Sequence, residues 1–248
     1  IVLPTWLTLT SDGFLQGTPS NEHVGEHEVS IRVADQHGAS SEKSFTLTVN
    51  NVNDLPTLEE IPDASVNEEA AFSYQLTAAD VDADVVADAL TFEAVEKPDW
   101  MSVSATGLIT GTPSNSDVGE HTVTVQVRDS AGATDTKTFT LTVNNVNDAP
   151  EFTFTVPTST DEDSAFEYQL TATDVDMSVD VNESLTFEAV ETPDWMSVSS
   201  SGLITGTPTN DDVGDHSVTV KVTDSAGESD TKTFTLTVNN VNDLPILE

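Results

Sequence analysis

The sequence predicts an all-β chain built as a tandem array of antiparallel β-sandwiches, with about seven strands in each complete unit. Three observations carry this prediction. Residues 98–150 recur as residues 193–245 with 42 of 53 positions identical, and a looser copy occupies residues 4–56. Within each copy, short runs alternate apolar and polar residues, and glycine- and proline-rich turns separate the runs. A period of two marks half-buried strands, and no segment carries the stripe of a long helix.

The repeat length sets the domain boundaries. Trp6, Trp100 and Trp195 occupy equivalent positions, 94 and 95 residues apart, and that spacing matches one small sandwich domain. We predict three domains, of which the first is the C-terminal half of a sandwich: residues 1–56, 57–150 and 151–248.

The first repeat contains no counterpart of residues 57–97 or 151–192. We therefore expect it to expose an apolar sheet face unless something else covers it. We interpret the chain as a segment cut from a longer protein, with completion of the first repeat by another chain as the alternative.

Each complete repeat shows the same succession of strand-like runs. The alternating apolar positions in the second repeat are Phe72, Tyr74, Leu76, Val123, Val125, Val127, Phe139, Leu141 and Val143. Their counterparts in the third repeat include Phe166, Tyr168, Leu170, Phe234, Leu236 and Val238. The turns between the runs contain Gly107, Gly111, Pro113, Gly119 and Gly132. Such runs predict half-buried strands joined by tight turns.

Composition excludes several classes of partner. Lys and Arg total 7 against 44 Asp and Glu, so the formal net charge is -37. Nucleic acids and anionic membranes require basic surfaces, so we expect neither as a partner, and cations are the natural ligands. The chain contains no cysteine, which rules out disulfides and thiolate metal sites. No apolar run approaches membrane-spanning length, so we expect no direct membrane insertion.

Oxygen-rich residues concentrate where the repeats join. Each repeat ends on Asn-Asn-Val-Asn-Asp-x-Pro, at residues 50–56, 144–150 and 239–245, a sequence typical of the exit from a last strand. In an extended segment, residues i and i+2 face the same way, so Asp80 pairs with Asp82, as Asp174 pairs with Asp176. Two carboxylates about 5 Å apart repel by about 3 kcal/mol at an effective dielectric near 20. Calcium, which takes six to eight oxygen ligands, removes that repulsion.

The two complete repeats, with the second half of the first, resemble the dystroglycan-type cadherin-like (CADG) repeats of large bacterial surface adhesins. The resemblance rests on motifs that follow one another at the right intervals: Ala71-Phe72, Tyr74-Gln75-Leu76, Asp80-Val81-Asp82, Leu90-Thr91-Phe92, Pro98-Asp99-Trp100-Met101, Gly107 to Pro113, Asp117-Val118-Gly119 and Val127-Arg128-Asp129. It implies tandem cadherin-like or immunoglobulin-like sandwiches, calcium at the domain junctions, and adhesion or polysaccharide association at the cell surface.

Transferred residue by residue, the cadherin pattern implies a calcium site at each junction. The second junction would use Glu68, Asp117, Asn145, Asn147, Asp148, Asp174, Asp176 and Asp224. The first junction would use Asn51, Asn53, Asp54, Asp80, Asp82 and Asp129. It has His23 in place of Asp117, so we expect fewer or weaker ions there. The C-terminal end would supply half a site, from Glu162, Asp212, Asn240, Asn242 and Asp243.

Several alternatives stay open at this point. The connector motif is also typical of a simple turn, and the acids of a solvated surface. The three tryptophans are expected in the sandwich cores rather than on sugar rings, and His27, His121 and His216 at solvent-facing strand starts. Paired carboxylates occur in glycosidases, but those acids flank one cleft rather than every junction.

We therefore predict a non-enzymatic, calcium-rigidified segment of an extracellular bacterial adhesin, acting in cell adhesion or as an extender or spacer. Its partners would be calcium ions and neighbouring repeats of the same chain. The alternative is a module that binds carbohydrate or a matching domain, which could be appended to a secreted polysaccharide-degrading enzyme.

Overall fold

β-Strands dominate the computed structural model of the chain, which describes residues 1–83, 88–242 and 244. Strands make up 49% of the chain and helix 5%, arranged as sheets in immunoglobulin-like sandwiches, so the predicted fold class is confirmed. In the part of the chain that is described, no helix combines the length and the apolar character needed to cross a membrane.

The chain divides into two compact units. The first unit comprises residues 1–66, 71–112 and 120–142, and the second comprises residues 67–70, 113–119 and 143–248. The first junction therefore lies inside the first unit. The loops that end the second repeat belong to the second unit, together with the second connector and the third repeat.

The first repeat contains four strands in two separate pairs. They are β1 (Leu7–Leu9), β2 (Leu15–Gly17), β3 (Gly25–Ala34) and β4 (Ser40–Val49). β1 pairs with β2 and β3 pairs with β4, both antiparallel. A 3₁₀ turn at Asn21–His23 precedes β3, and Val2 forms an isolated bridge with Ser30.

Nine strands lie in the described part of the second repeat. They are β5 (Thr57–Leu58), β6 (Ala64–Asn67), β7 (Phe72–Gln75), β8 (Ala78–Ala79), β9 (Thr91–Glu96), β10 (Met101–Val103), β11 (Leu108–Gly111), β12 (Gly119–Arg128) and β13 (Thr134–Asn144). The order β6-β13-β12-β9 forms one sheet, β10-β11-β7 forms another, and β5 pairs with β8. A 3₁₀ turn at Asn115–Asp117 precedes β12.

The third repeat has the same arrangement. Its strands are β14 (Glu151–Phe152), β15 (Ser159–Asp161), β16 (Phe166–Gln169), β17 (Ala172–Thr173), β18 (Thr186–Glu191), β19 (Met196–Val198), β20 (Leu203–Gly206), β21 (Gly214–Thr223) and β22 (Ser229–Asn239). The sheets have the orders β15-β22-β21-β18, β16-β20-β19 and β14-β17. β15 and β22 run parallel, unlike the other pairs of this repeat. Two further 3₁₀ turns lie at Asp176–Ser178 and Asn210–Asp212.

The alternating apolar residues form the cores, as their period predicts. The core of the second repeat contains Leu58, Leu76, Met101, Ile109, Val123, Val125, Val127, Phe139 and Leu141. Equivalent residues of the third repeat, among them Met196, Ile204, Val220 and Phe234, are buried in the same way. Trp100 and Trp195 are partly buried and pack against these cores, which agrees with the core position expected for them.

The histidines differ from their expected position. His121 and His216 are half-buried rather than solvent-facing, and their rings meet Trp100 and Trp195 edge-on at 6.2 and 6.1 Å between centroids. His27 contacts Trp6 in the same way. The amphipathic imidazole ring covers one face of the indole, a contact between strands that the period of a single strand does not reveal.

Candidate metal centres

Three carboxylates meet at the second junction. Glu68 lies just after β6, Asp148 lies in the connector between β13 and β14, and Asp176 lies just after β17. Each offers one oxygen atom, and these three atoms all lie within 4.8 Å of one another. All three residues belong to the second compact unit. The cluster therefore combines the end of the second repeat, the connector and the start of the third repeat.

Backbone amides hold two of these carboxylates in place. The Val146 amide donates to Glu68 Oε1 at 2.8 Å, and the Asp148 amide donates to Asp176 Oδ2 at 2.8 Å. Glu68 is 4% exposed and Asp176 is 1% exposed. Their other oxygens, Glu68 Oε2 and Asp176 Oδ1, are buried and accept no hydrogen bond. Leaving a buried carboxylate oxygen without a partner is costly, so the cluster has the charge and the open acceptors of a cation site.

Asp174 adds a further buried charge beside Asp176. Its Oδ1 accepts the Asp176 amide at 2.9 Å, whereas its Oδ2 is buried without a hydrogen-bond partner. Burial raises the pKa of Asp174, and the charges of Glu183, Asp176 and Asp224 raise it further. The repulsion that raises this pKa is the repulsion that a divalent cation would relieve.

Asp224 is buried but supported by donors. The Asn147 side chain donates to Asp224 Oδ2 at 2.8 Å, and the Glu228 amide donates to Oδ1 at 2.8 Å. Burial alone would raise the pKa of Asp224, but these hydrogen bonds outweigh burial and lower it. Asn147 thereby connects the connector to the loop after β21.

The first junction holds another acidic cluster, of Asp80, Asp82 and Asp88, with oxygen atoms within 4.8 Å of one another. We call it the first cluster, and the cluster at the second junction the second cluster. Asp82 is fully buried, and its amide donates to Asp80 Oδ1 at 2.8 Å. Asp80 Oδ2 and Asp88 Oδ2 are buried and have no hydrogen-bond partner. The Ser130 amide donates to the other oxygen of Asp88 at 2.8 Å.

The first connector supports Asp82 and Asp129 with amide donors. The Asp54 amide donates to Asp82 Oδ2 at 2.8 Å, and the Asn21 side chain donates to Asp82 Oδ1 at 2.9 Å. These hydrogen bonds lower the pKa of Asp82. The Asn53 side chain donates to Asp129 Oδ2 at 2.8 Å and lowers the pKa of Asp129. Asn51 Oδ1 is buried without a partner.

The C-terminal end of the third repeat resembles half of the second junction. Glu162 is 2% exposed, and its Oε1 accepts the Val241 amide at 2.6 Å and the Asn240 side chain at 2.8 Å. Its Oε2 is buried and accepts no hydrogen bond. Asn242 is exposed, and Asp243 lies outside the described residues.

Two predicted ligands have a structural role. Asp117 Oδ2 accepts the amide and the hydroxyl of Ser114, and Asp212 Oδ2 accepts the same groups of Thr209. These hydrogen bonds close the 3₁₀ turns and lower the pKa of Asp212. His23 closes the equivalent turn in the first repeat, where its Nδ1 accepts a hydrogen bond from the Ser20 amide at 3.0 Å. Asn145 is exposed.

Sequence reasoning missed several residues of the two clusters. Asp88 belongs to the first cluster, and Glu183, at the equivalent position of the third repeat, acts on Asp174. Asn21 bonds Asp82, and its counterpart Asn115 has a buried Oδ1 without a partner. The sequence contains a signal at both positions. An acid occurs at the position of Asp88 and Glu183 in the two complete repeats, and Asn occurs at the position of Asn21 in all three repeats.

The family described as "Putative Ig domain" (He_PIG) matches residues 1–50, 55–144 and 149–239. These three matches cover most of the chain. The chain belongs to this Ig-domain family. The finer CADG label is an expectation from resemblance alone. A comparison with curated protein sequences found no match.

Solved structures place this Ig-domain chain among cadherin-like folds. PcdhgB3 EC1-4 is similar with a TM-score of 0.63 and 17% identity, over 95% of this chain and 64% of that chain. Mouse cadherin-23 EC22-24 gives 0.54 and 20%, over 96% and 83%. Mouse protocadherin-24 EC1-3 gives 0.52 and 14%, over 96% and 87%. At these identities the similarity shows the fold alone.

The chain spans 38% of the endo-fucoidan hydrolase MfFcnA4, with 97% of its own length covered, 21% identity and a TM-score of 0.37. At that TM-score the similarity carries no argument about fold or activity. Domains of the immunoglobulin-like and cadherin-like kinds are typically non-catalytic and usually extracellular, and in tandem they suggest an adhesive or spacing role.

Proposed function

We propose that the chain is a calcium-binding, calcium-rigidified segment of an extracellular bacterial adhesin, in which three domains, residues 1–56, 57–150 and 151–248, act as an extender or spacer. The observation that carries this proposal is the second cluster. There, Glu68 Oε2 and Asp176 Oδ1 are buried without hydrogen-bond donors, beside a third carboxylate from Asp148.

The donor set favours calcium over other metals. The clusters are composed of carboxylates, with side-chain amides of Asn close by, and they contain no thiolate because the chain has no cysteine. Zinc and copper prefer Cys and His ligands. Calcium accepts six to eight oxygens in flexible geometry, whereas magnesium demands a near-ideal octahedron and retains its waters. Carboxylates from three different segments, two of them buried, suit the larger and more tolerant ion.

Calcium at this cluster would stiffen the connector. The ion would be shared by a residue of the second repeat, a connector residue and a residue of the third repeat. The connector amides of Val146 and Asp148 already donate to the same carboxylates. Without the ion, repulsion among the acids favours opening of these hydrogen bonds; with it, opening requires the ligands to separate. Extracellular calcium modules bind with dissociation constants of about 0.1–1 mM.

Calorimetric titration of the metal-free chain with calcium tests the proposal. We expect Glu68→Gln to weaken binding at the second junction by at least tenfold, because glutamine removes the buried charge and keeps the side-chain shape. Glu167→Gln, on the exposed face of β16, is the matched control and should bind as the parent chain does.

Hydrogen exchange on the same samples tests the stiffening. Calcium should slow exchange of the Val146 and Asp148 amides by at least tenfold in the parent chain and the control, and less in Glu68→Gln. Equal calcium affinity in the two variants would exclude the second cluster as the site. If calcium binds but does not slow exchange of these amides, the chain binds calcium but the ion does not stiffen the connector.

A further inference from the structure

One strand pair of the third repeat links the start of the repeat to its end. β15 lies soon after the connector, and β22 is the last strand described in the repeat. The two strands pair in parallel, in a register that runs from Ser159 opposite Thr237 to Asp161 opposite Asn239. Parallel strands begin at the same end of the pair. The chain therefore enters this pair at one end, through β15, and leaves it at the other, through β22.

The parallel direction decides how the pair meets tension along the chain. Tension pulls the start of β15 and the end of β22 apart along the strand axis, so the hydrogen bonds between the strands are loaded together. In an antiparallel pair, the chain would enter and leave at the same end, and the hydrogen bonds would break one after another. Forced unfolding is governed by the unfolding rate. Bonds that must break together slow unfolding under tension and so raise the force that the fold withstands.

Hydrogen bonds join the two backbones along the whole pair. The Thr237 amide donates to the Thr158 carbonyl at 3.0 Å, and the Glu162 amide donates to the Asn239 carbonyl at 3.1 Å. Backbone groups of a strand alternate in direction with a period of two, so the Thr160 amide, midway between Thr158 and Glu162, also points at β22. β15 is therefore bonded to β22 from before its first residue to beyond its last.

Side chains extend the pair beyond its last backbone hydrogen bond. The Asn239 side chain donates to Asp161 Oδ1 at 2.9 Å. Past the end of β22, the Val241 amide and the Asn240 side chain donate to Glu162 Oε1 at 2.6 and 2.8 Å. Glu162 is 2% exposed, so water has little access to this carboxylate. The segment that leaves the repeat is therefore held at the point where tension enters the pair.

The second repeat has the same bonds at equivalent positions. β6 lies next to β13 in its sheet. The Glu68 amide donates to the Asn144 carbonyl at 3.0 Å, and the Val146 amide donates to Glu68 Oε1 at 2.8 Å. Residues 64–68 and 158–162 nevertheless differ at three of five positions. The arrangement is therefore kept in both complete repeats although the sequence of its first strand changes.

We propose that this strand pair, with the buried glutamate at its end, makes each complete repeat a tension-bearing element of the chain. We call it the shear pair: β15 with β22 in the third repeat, and β6 with β13 in the second. The role does not depend on calcium, since every bond of the shear pair joins two groups of the protein. It requires that the rupture force depend more on the shear pair than on other strand pairs of the same sheet.

Force spectroscopy of single chains, held at both ends in chelator, tests this role. We expect an unfolding event from each complete repeat. Proline removes a backbone donor, so Thr160→Pro should lower the rupture force of one event at least twofold.

Thr186→Pro is the matched control for Thr160→Pro. It lies on β18, the opposite edge strand of the same sheet. There the Phe187 amide donates to the Ser200 carbonyl, so the Thr186 amide points the other way, at β21. Both prolines should lower stability in urea by similar amounts, whereas the control should keep the rupture force of the parent.

A milder pair of variants decides the question if Thr160→Pro prevents folding. Asn239→Ala removes the exposed side chain that bonds Asp161 and should lower the same rupture force. Asn182→Ala removes an exposed side chain that bonds Asp180, outside the shear pair, and should leave that force unchanged. Equal rupture forces in these two variants would contradict the role of the shear pair.

The direction of pulling gives a test that leaves the shear pair intact. The chain has no cysteine, so a handle can be attached at Asp215→Cys, an exposed position at the start of β21. Asp215 lies opposite Thr237, so pulling between this handle and the C-terminus separates β22 from its end, one hydrogen bond at a time. We expect a rupture force at least twofold below that of end-to-end pulling. Equal forces in the two directions, or equal losses in Thr160→Pro and Thr186→Pro, would overturn the proposal.

Discussion

Individual carboxylates at the junctions differ in how well the fold satisfies them. Asp82 and Asp224 are buried but receive hydrogen bonds that lower their pKa values. Asp174 has one buried oxygen without a partner, and its pKa is raised. A fold that holds such a group tolerates a penalty that only a cation or a proton removes. A cation that binds Asp174 would therefore remove a penalty that the metal-free fold carries at this residue.

The Asp174→Asn substitution should stabilise the chain in chelator and destabilise it in calcium. The folded pKa of Asp174 lies above its ordinary value, so the charged group opposes folding at neutral pH. In chelator at pH 7 the variant should be more stable than the parent, because asparagine places no charge at this buried position. This advantage is present above the folded pKa and disappears as pH falls below the ordinary pKa of 3.8, where the parent is also neutral.

Calcium should stabilise the parent more than the Asp174→Asn variant. At a tenfold excess over the dissociation constant, an ion contributes about 1.4 kcal/mol to the parent, and the variant loses much of it. Calorimetric melting in chelator and in calcium measures both effects, with the exposed Asp194→Asn as the control. A variant less stable than the parent in chelator at pH 7 would mean that Asp174 is satisfied without a cation.

The sequence could predict the carboxylates of the Asp-x-Asp pairs and the connectors, because period and repetition place them on one side of a strand end. Asp88 and Glu183 were missed, because the recurrence of an acid at one position of the repeat does not show that it lies close to the pair. Asp117 stays a predicted ligand; its Oδ2 accepts hydrogen bonds from Ser114 and closes a 3₁₀ turn, a role that the sequence did not predict. A short acid close to Ser or Thr in sequence can bond local groups in this way.

At the scale of elements, alternation predicted the long strands and the residues of the cores, because burial on one face follows the period. It did not predict the two-residue strands β5, β8, β14 and β17, with which each complete repeat has nine described strands rather than about seven. Alternation did not predict that β15 pairs in parallel with β22, because strand direction depends on how the chain returns to the sheet. The tryptophan hairpins were also beyond it. Gly111 and Gly206 closely approach the carbonyl oxygen and the ring of Trp100 and Trp195, and no property of a lone glycine reveals what it approaches.

Gly206→Ala should destabilise the third repeat. A Cβ atom at this position would lie 2.3 Å from the Trp195 carbonyl oxygen and 2.7 Å from its Cε3 atom. A backbone oxygen cannot move aside cheaply, so β19 and β20 would have to separate. We expect a loss of about 1–3 kcal/mol in the free energy of unfolding, the usual cost of overpacking.

Urea denaturation in chelator measures this loss. Ser200→Ala is the matched control: the residue is exposed in the same hairpin, and its effect should stay within about 0.5 kcal/mol. Gly111→Ala should repeat the effect in the second repeat, where the added atom would lie 2.6 Å from the Trp100 oxygen. A neutral result at both glycines would contradict the close packing of the hairpin against its tryptophan.

At the scale of the whole molecule, both junctions combine an Asp-x-Asp pair with a connector amide that donates to it, but the other groups around the pair differ. Glu68, Asp148 and Asp176 form the cluster at the second junction, whereas Asp80, Asp82 and Asp88 form the cluster at the first junction. At the first junction, Asp82 receives hydrogen bonds from the Asn21 side chain and the Asp54 amide, which already compensate part of its charge. A cation gains less where the acceptors are already satisfied.

Calcium should therefore bind in two classes, with the tighter class at the second junction. We expect Asp176→Asn to remove the tighter class and leave the weaker one, and Asp82→Asn to do the reverse, as measured by calorimetric titration of the whole chain. Each variant is the control for the other, since both replace a buried Asp of an Asp-x-Asp pair. If Asp82→Asn removed the tighter class, the Glu68 carboxylate would not be what distinguishes the junctions. The hydrogen bonds to Asp82 would then orient its oxygens for the ion rather than replace it.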